Sequence, residues 1–174
     1  MPPTSERPQA DEYGDYFRAY IGLVPAGDIM HILSDQMDEL CDLLSPLRAE
    51  QTLARPKPDD WNIVEVLGHI TDAERVFMYR ALHIARGDTA PLAPFDQDAY
   101  VAAAGFAEQS LAVLLDAYAA QRHATIAFLR SLNDAGWMRR GIVSGNTSST
   151  RAWAYIAAGH ERYHINDFHE RYAI

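Results

Sequence analysis

Lysine is nearly missing from this chain. Lys57 is its only one, and lysine and arginine together number 15 against 24 aspartates and glutamates, for a net charge of -9. A surface of that sign repels phosphate, so nucleic acid and anionic membrane are not expected as partners. One local exception stands out, because Arg75, Arg80 and Arg86 lie close together. Cysteine is equally scarce. Cys41 stands alone, which rules out a disulfide within the chain and fits a reducing compartment. No apolar run approaches bilayer length. The opening MPPTSERPQADEYGDY has no basic stretch leading into an apolar one, so it does not read as a secretory signal. These absences predict a soluble, cytoplasmic protein. Its 174 residues suit one domain spanning the chain, with about the first 12 residues expected to be disordered.

What is present is helical periodicity, in four long segments. The first opens at Asp28, a good N-cap, and carries Ile29, Leu33, Leu40, Leu44 and Leu47 on one stripe, with Pro46 near its end. The second runs from about Trp61 to Arg86. Asn62 caps it, Glu65 completes a capping box, and Gly87 stops it. The third reads from about Ala107 to Asn133. Gly136, Gly141 and Gly145 break the stretch after it, and Ser148 or Ser149 opens the fourth, which runs to about Arg171. No convincing strand alternation occurs. Residues 88–106 read as a loop, with at most a short helical turn around Gln97–Ala103; a loop of that length in a compact domain points to function. The expected fold is all-α: a four-helix bundle, up-down or with a crossover, with a long loop between helices two and three.

Histidine is the commonest metal ligand, and the chain has seven. His160 and His164 are spaced i, i+4, which places both on one helical face. Trp153, Ile156, Ala157 and Phe168 share that face, so it should point into the bundle. Imidazoles buried there without partners cost roughly 1–3 kcal/mol each, and a shared metal ion offsets that cost. Hydrogen bonds within the core would offset it too. His69, midway along helix two beside Ile70, can face the same interior, though alone it reads equally as a core histidine. His31, His83, His123 and His169 lack a spaced partner and read as solvated or structural.

His160-Glu161-Arg162-Tyr163-His164 matches H-E-x-x-H, in which two histidines hold zinc and the glutamate activates water. Ten residues follow it, and Glu170 among them does not complete the longer protease pattern. Glu161-x-x-His164 is also half of a di-iron carboxylate motif, but no second half exists.

The fuller pattern resembles the DinB-like superfamily. The stretch from Trp61 to Arg75, WNIVEVLGHITDAER, is similar to that group's helix-two signature. So are Tyr79-Arg80-Ala81-Leu82, Ala85-Arg86-Gly87-Asp88, Phe95-Asp96-Gln97-Asp98 and Ala158-Gly159-His160-Glu161-Arg162-Tyr163-His164. Tyr20-Ile21-Gly22-Leu23-Val24-Pro25 and Gly27-Asp28 fit its N-terminal end, so the resemblance spans about residues 13–172. It implies a four-helix bundle with one metal site made by His69, His160 and His164. It also implies thiol-dependent transfer or metal-dependent hydrolysis as the activity.

Three neutral imidazoles leave a divalent ion its full charge and open positions, a catalytic arrangement. Water there gives hydrolysis, and a low-molecular-weight thiol gives S-transfer. The ligands are the same in both cases. The expectation is thiol-dependent S-transferase chemistry on a small electrophile, with hydrolysis as the alternative; a non-catalytic module that binds a small molecule or dimerises is the competing class. Zinc is the expected ion, nickel the next. Glu161 and Asp72 are candidate acid–base residues, although Asp72 can equally pair with Arg75 or Arg80 on the surface. Arg75 and Arg80 are candidates for holding an anionic substrate or thiol cofactor. A homodimer is a further expectation.

Overall fold

The computed structural model describes residues 3–174. Its helices are α1 (Arg18–Leu23), α2 (Ile29–Leu44), α3 (Ala49–Thr52), α4 (Ile63–Ala85), α5 (Gln97–Ala104), α6 (Leu111–Arg130), α7 (Asp134–Met138) and α8 (Thr150–Glu170). A hairpin of β1 (Arg140–Val143) and β2 (Asn146–Ser149) precedes α8. No helix among the described residues is long and apolar enough to cross a membrane.

The long helices begin where their caps dictate. Asp28 accepts from the Met30 N–H, Ser110 from Val113 and Ser149 from Ala152. At α4 the box is reciprocal: Glu65 N–H donates to Asn62 Oδ1 at 2.9 Å, and Asn62 N–H to Glu65 Oε2 at 2.8 Å. Gly87, at φ +80°, ends α4 in the left-handed region that other residues avoid.

α2, α4, α6 and α8 form the bundle. α8 packs on α4 and α2, and α6 packs on the same two. α2 and α4, consecutive long helices, therefore face each other across one diagonal, and α6 and α8 across the other. This is the crossover form of the expected bundle. One apolar cluster centres on Phe77, Trp153 and Ile156. A second holds Leu40, Leu67, Ile165 and Phe168. Along α8, His160 and His164 fall between the residues of the two.

The connection between α4 and α6 carries α5 where a short turn was expected, capped by Asp96, whose side chain accepts from the Ala99 N–H. Two expectations need correction. The 140–149 stretch is a hairpin rather than irregular: Ser144 and Gly145, at φ 49° and 78°, make the two-residue turn such a hairpin requires. Its strands of four residues are too short to show alternation. Leu92 N–H donates to Ile142 O at 3.0 Å and Leu92 O accepts from Ser144 N–H at 2.8 Å, so the hairpin pins the loop before α5.

Helix α1 lies upstream of the first helix read from the sequence. It sits on α8 because position 159 is glycine; a Cβ there would lie 2.0 Å from the Tyr20 carbonyl oxygen. Of the N-terminal twelve residues, expected to be disordered, the first two lie outside the described residues, and Thr4, Arg7 and Glu12 make bonds to the rest of the chain. Thr4 Oγ1 donates to Asp28 at 2.7 Å, and Arg7 donates to the carbonyls of Ile21 and Val24. Buried Glu12 accepts two bonds from Arg151, at 2.5 and 2.9 Å. The polar composition of that segment concealed partners more than a hundred residues away.

Candidate metal centre

His69 comes from the middle of α4, and His160 and His164 from successive turns of α8. All three are buried. Their tips converge: His69 Nε2 lies 3.0 Å from His160 Nε2, which lies 3.2 Å from His164 Nε2. A neutral imidazole has one N–H and one lone pair, so His160 Nε2 can serve only one of these neighbours in a hydrogen bond. Three ligand atoms around one ion face no such limit. With metal–nitrogen bonds of about 2.0–2.1 Å, the edge of a tetrahedral site is about 3.3 Å, close to what is seen. The donor set therefore fits a divalent ion.

Electrostatics agree. Burial pushes His69 down to about 4 and His164 down to about 3, the latter helped by His69. Burial and the two neighbouring rings hold His160 well below the ordinary range. All three are neutral at pH 7, the form that binds metal. Aromatic rings fix them: Trp61 lies 4.9 Å from His69, and Phe77 and Tyr20 lie 5.4 and 5.5 Å from His160, centroid to centroid.

Two cavities meet at the cluster. The first, about 470 Å³, is walled by Phe17, Tyr20, Phe77 and Phe95 and includes His69, His160 and Arg80. The second, about 400 Å³, reaches His69 and His164 and carries Asp59, Asp60, Asp98 and Asp167. Burial keeps the Tyr20 hydroxyl, on the rim of both, protonated.

The remaining candidates divide. Asp72 is not brought to the cluster; its carboxylate accepts from Arg75 at 2.7 Å, and neither residue lines either cavity. The pair forms because positions i and i+3 are neighbours on a helix surface. Glu161 is turned away as well. Adjacent residues on a helix point roughly 100° apart. The Glu161 carboxylate is sealed in the core, where it accepts from Tyr118 Oη at 2.9 Å and from Arg122. Burial raises it to about 7, with Arg122 opposing. Arg80, in contrast, is buried and lines the first cavity. His31, His123 and His169 are exposed, and His83 meets the Ala90 carbonyl at 2.8 Å.

Sequence reasoning missed Arg122, Glu74 and Thr125. Arg122 on α6 bonds Glu74 on α4 at 2.7–3.2 Å, the Leu33 carbonyl on α2 at 2.7 Å, and Glu161 on α8. Thr125 donates to Glu74 at 2.6 Å. Every helix of the bundle meets at this one guanidinium. Its partners lie 39 to 89 residues away, beyond any spacing motif.

Known proteins with this architecture include YfiT from Bacillus subtilis, a probable metal-dependent hydrolase with an unusual four-helix bundle topology. It superposes with a TM-score of 0.69 at 15% identity, over 96% of this chain and 93% of its own. At that identity the likeness establishes the fold. No curated protein matches the chain. The family model of the DinB superfamily matches residues 32–167, a span that holds all three histidines. On that match the chain belongs to the DinB superfamily.

Proposed function

We propose that this chain is a metal-dependent enzyme acting on a small molecule, with His69, His160 and His164 holding one divalent ion, zinc first and nickel second. The observation that carries the reading is the convergence of three neutral, buried Nε2 atoms, two of them, on His69 and His160, at the wall of a cavity rich in aromatic rings. When bound, the ion supplies Lewis acidity to an electrophile or to a nucleophile at neutral pH.

The chain's own residues do the rest. The imidazoles donate lone pairs, and their packed rings keep the three tips in place. Phe17, Phe77 and Phe95 give the first cavity an apolar wall that accepts an apolar body. Tyr20 keeps its proton and offers a hydrogen bond at the rim. Arg122 and Tyr118 hold Glu161, and so the α8 backbone beside His160, in one position.

Our leading reading is transfer of a low-molecular-weight thiol to a small electrophile. The first cavity is large enough for two small reactants side by side, and a cytoplasmic, reducing setting belongs to the same reading. Hydrolysis is the second reading, favoured by the description of YfiT. Zinc- and nickel-loaded protein should be assayed with monochlorobimane plus cysteine or glutathione, and with p-nitrophenyl acetate alone. Thiol-dependent turnover lost in His160→Ala/His164→Ala supports transfer; ester turnover with the same loss supports hydrolysis. Activity unaffected by that double substitution contradicts both. Sedimentation of the same samples tests the proposed homodimer.

A further inference from the structure

His69, Ala73, Phe77 and Arg80 follow one another at spacings of four, four and three along α4, so they share a face. All four line the first cavity. Arg80 is 4% exposed. Its Nη2 donates to the Ala93 carbonyl at 3.1 Å, and its guanidinium lies 5.0 Å from the Trp153 ring and 5.5 Å from the Phe95 ring. Among the described residues no carboxylate pairs with it. Its other N–H groups make no bond to protein, and the residue lines the cavity.

The other buried arginines show how unusual this is. Arg122 is neutralised by Glu74 and Glu161, and Arg151 by Glu12 and Glu6. A cation taken out of water without a counter-charge is costly, and burial lowers the Arg80 pKa with nothing opposing it. Such a group is complementary to an anion that arrives with the ligand. One guanidinium balances one negative charge, which suits a carboxylate better than a phosphate dianion. The aromatic walls suit an apolar body. Trp153, over which Arg80 lies, is two helical turns from His160, about 10 Å along α8.

We propose that Arg80 is an anion receptor, and that the enzyme's small-molecule substrate is an organic monocarboxylate. Its carboxylate sits on Arg80, its apolar or aromatic body lies against Phe77, Phe95 and Phe17, and its reacting end points along the cavity toward His69 and His160. The last part rests on the metal-enzyme reading; the Arg80 site does not.

The test uses 4-phenylbutyrate and its uncharged amide, with calorimetric titration of both zinc-loaded and metal-stripped protein, and metal content measured on each sample. The acid should bind wild type at least about tenfold more tightly than the amide, with or without metal. In Arg80→Met the preference should fall to within about twofold, and Arg80→Lys should keep part of it. An acid preference that survives Arg80→Met but vanishes in His160→Ala/His164→Ala, or on stripping the metal, places the carboxylate on the ion and overturns the proposal. Equal binding of acid and amide to wild type also overturns it, while leaving the metal site standing if the ion is present. Acid preference on Arg80 in protein that takes up no zinc on loading upholds the receptor and sinks the metal-enzyme reading. Should Arg80→Met not fold, a crystal structure of wild type with 4-phenylbutyrate decides: carboxylate oxygens within hydrogen-bond distance of Arg80 support the proposal, and any other pose overturns it.

Discussion

Arg122 and Arg80 sit in the same bundle, both withdrawn from water. Around Arg122 the chain has built two carboxylates, a backbone carbonyl and, next to those carboxylates, a threonine and a tyrosine hydroxyl. Around Arg80 it has built two aromatic faces and one carbonyl. The histidines belong with Arg80: neutral, desolvated and crowded tip to tip. One region is a polar network that satisfies itself and ties four helices together. The other holds polar groups poised for something from outside. Satisfied buried groups hold a fold, and unsatisfied ones lining a cavity mark where it acts.

Substitutions can break this contrast. Arg122→Met strands Glu74 and Glu161 as buried carboxylates without a cation, and should cost about 3–5 kcal/mol or prevent folding, read by urea unfolding. Acid attacks the second self-satisfied pair. Burial pushes Glu12 up, but Arg151, the Gln9 N–H and Ser149 outweigh it and hold the carboxyl at about 2 against an ordinary 4.5. A folded-state value below the unfolded one means stability that is present above about pH 4.5 and lost as pH falls toward 2. The loss should approach roughly 3 kcal/mol, and Glu12→Gln should flatten that part of the stability–pH curve.

Smaller effects sharpen the other side. Gly159→Ala drives a methyl against the Tyr20 carbonyl and should cost roughly 1–3 kcal/mol while displacing Tyr20 from the cavity rim, visible as a lower midpoint and changed ligand binding. Arg80→Met should do least to the fold. It removes a stacked cation worth about 1 kcal/mol or less, and also removes that cation's desolvation, so stability should stay within about 1 kcal/mol of wild type. A loss as large as that of Arg122→Met would erase the distinction between the two arginines.

How much of this was legible in the sequence depended on distance along the chain. Asn62 and Glu65 announced the start of α4, and His160 and His164 announced a shared face, because both signals live within one or two helical turns. The hairpin left almost no signal beyond Ser144-Gly145. Glu161 was misleading for a local reason: H-E-x-x-H places it beside a ligand in sequence, but the helix turns it toward Arg122. Arg75, Arg80 and Arg86 looked alike as a cluster. Only tertiary packing distinguishes Arg80, because Trp153, Phe95 and Ala93 reach it from α8 and from the loop pinned by the hairpin. The approach of His69 to the pair, 91 residues later in the chain, was implied by family resemblance and by no spacing rule.

The central claim is that His69, His160 and His164 hold one divalent ion. Elemental analysis of wild type and His160→Ala/His164→Ala, each stripped, reloaded with zinc and desalted, tests it most directly. The account predicts about one zinc per wild-type chain and almost none in the folded double variant. Wild type that holds no metal after reloading, or a variant that holds as much as wild type, would contradict it.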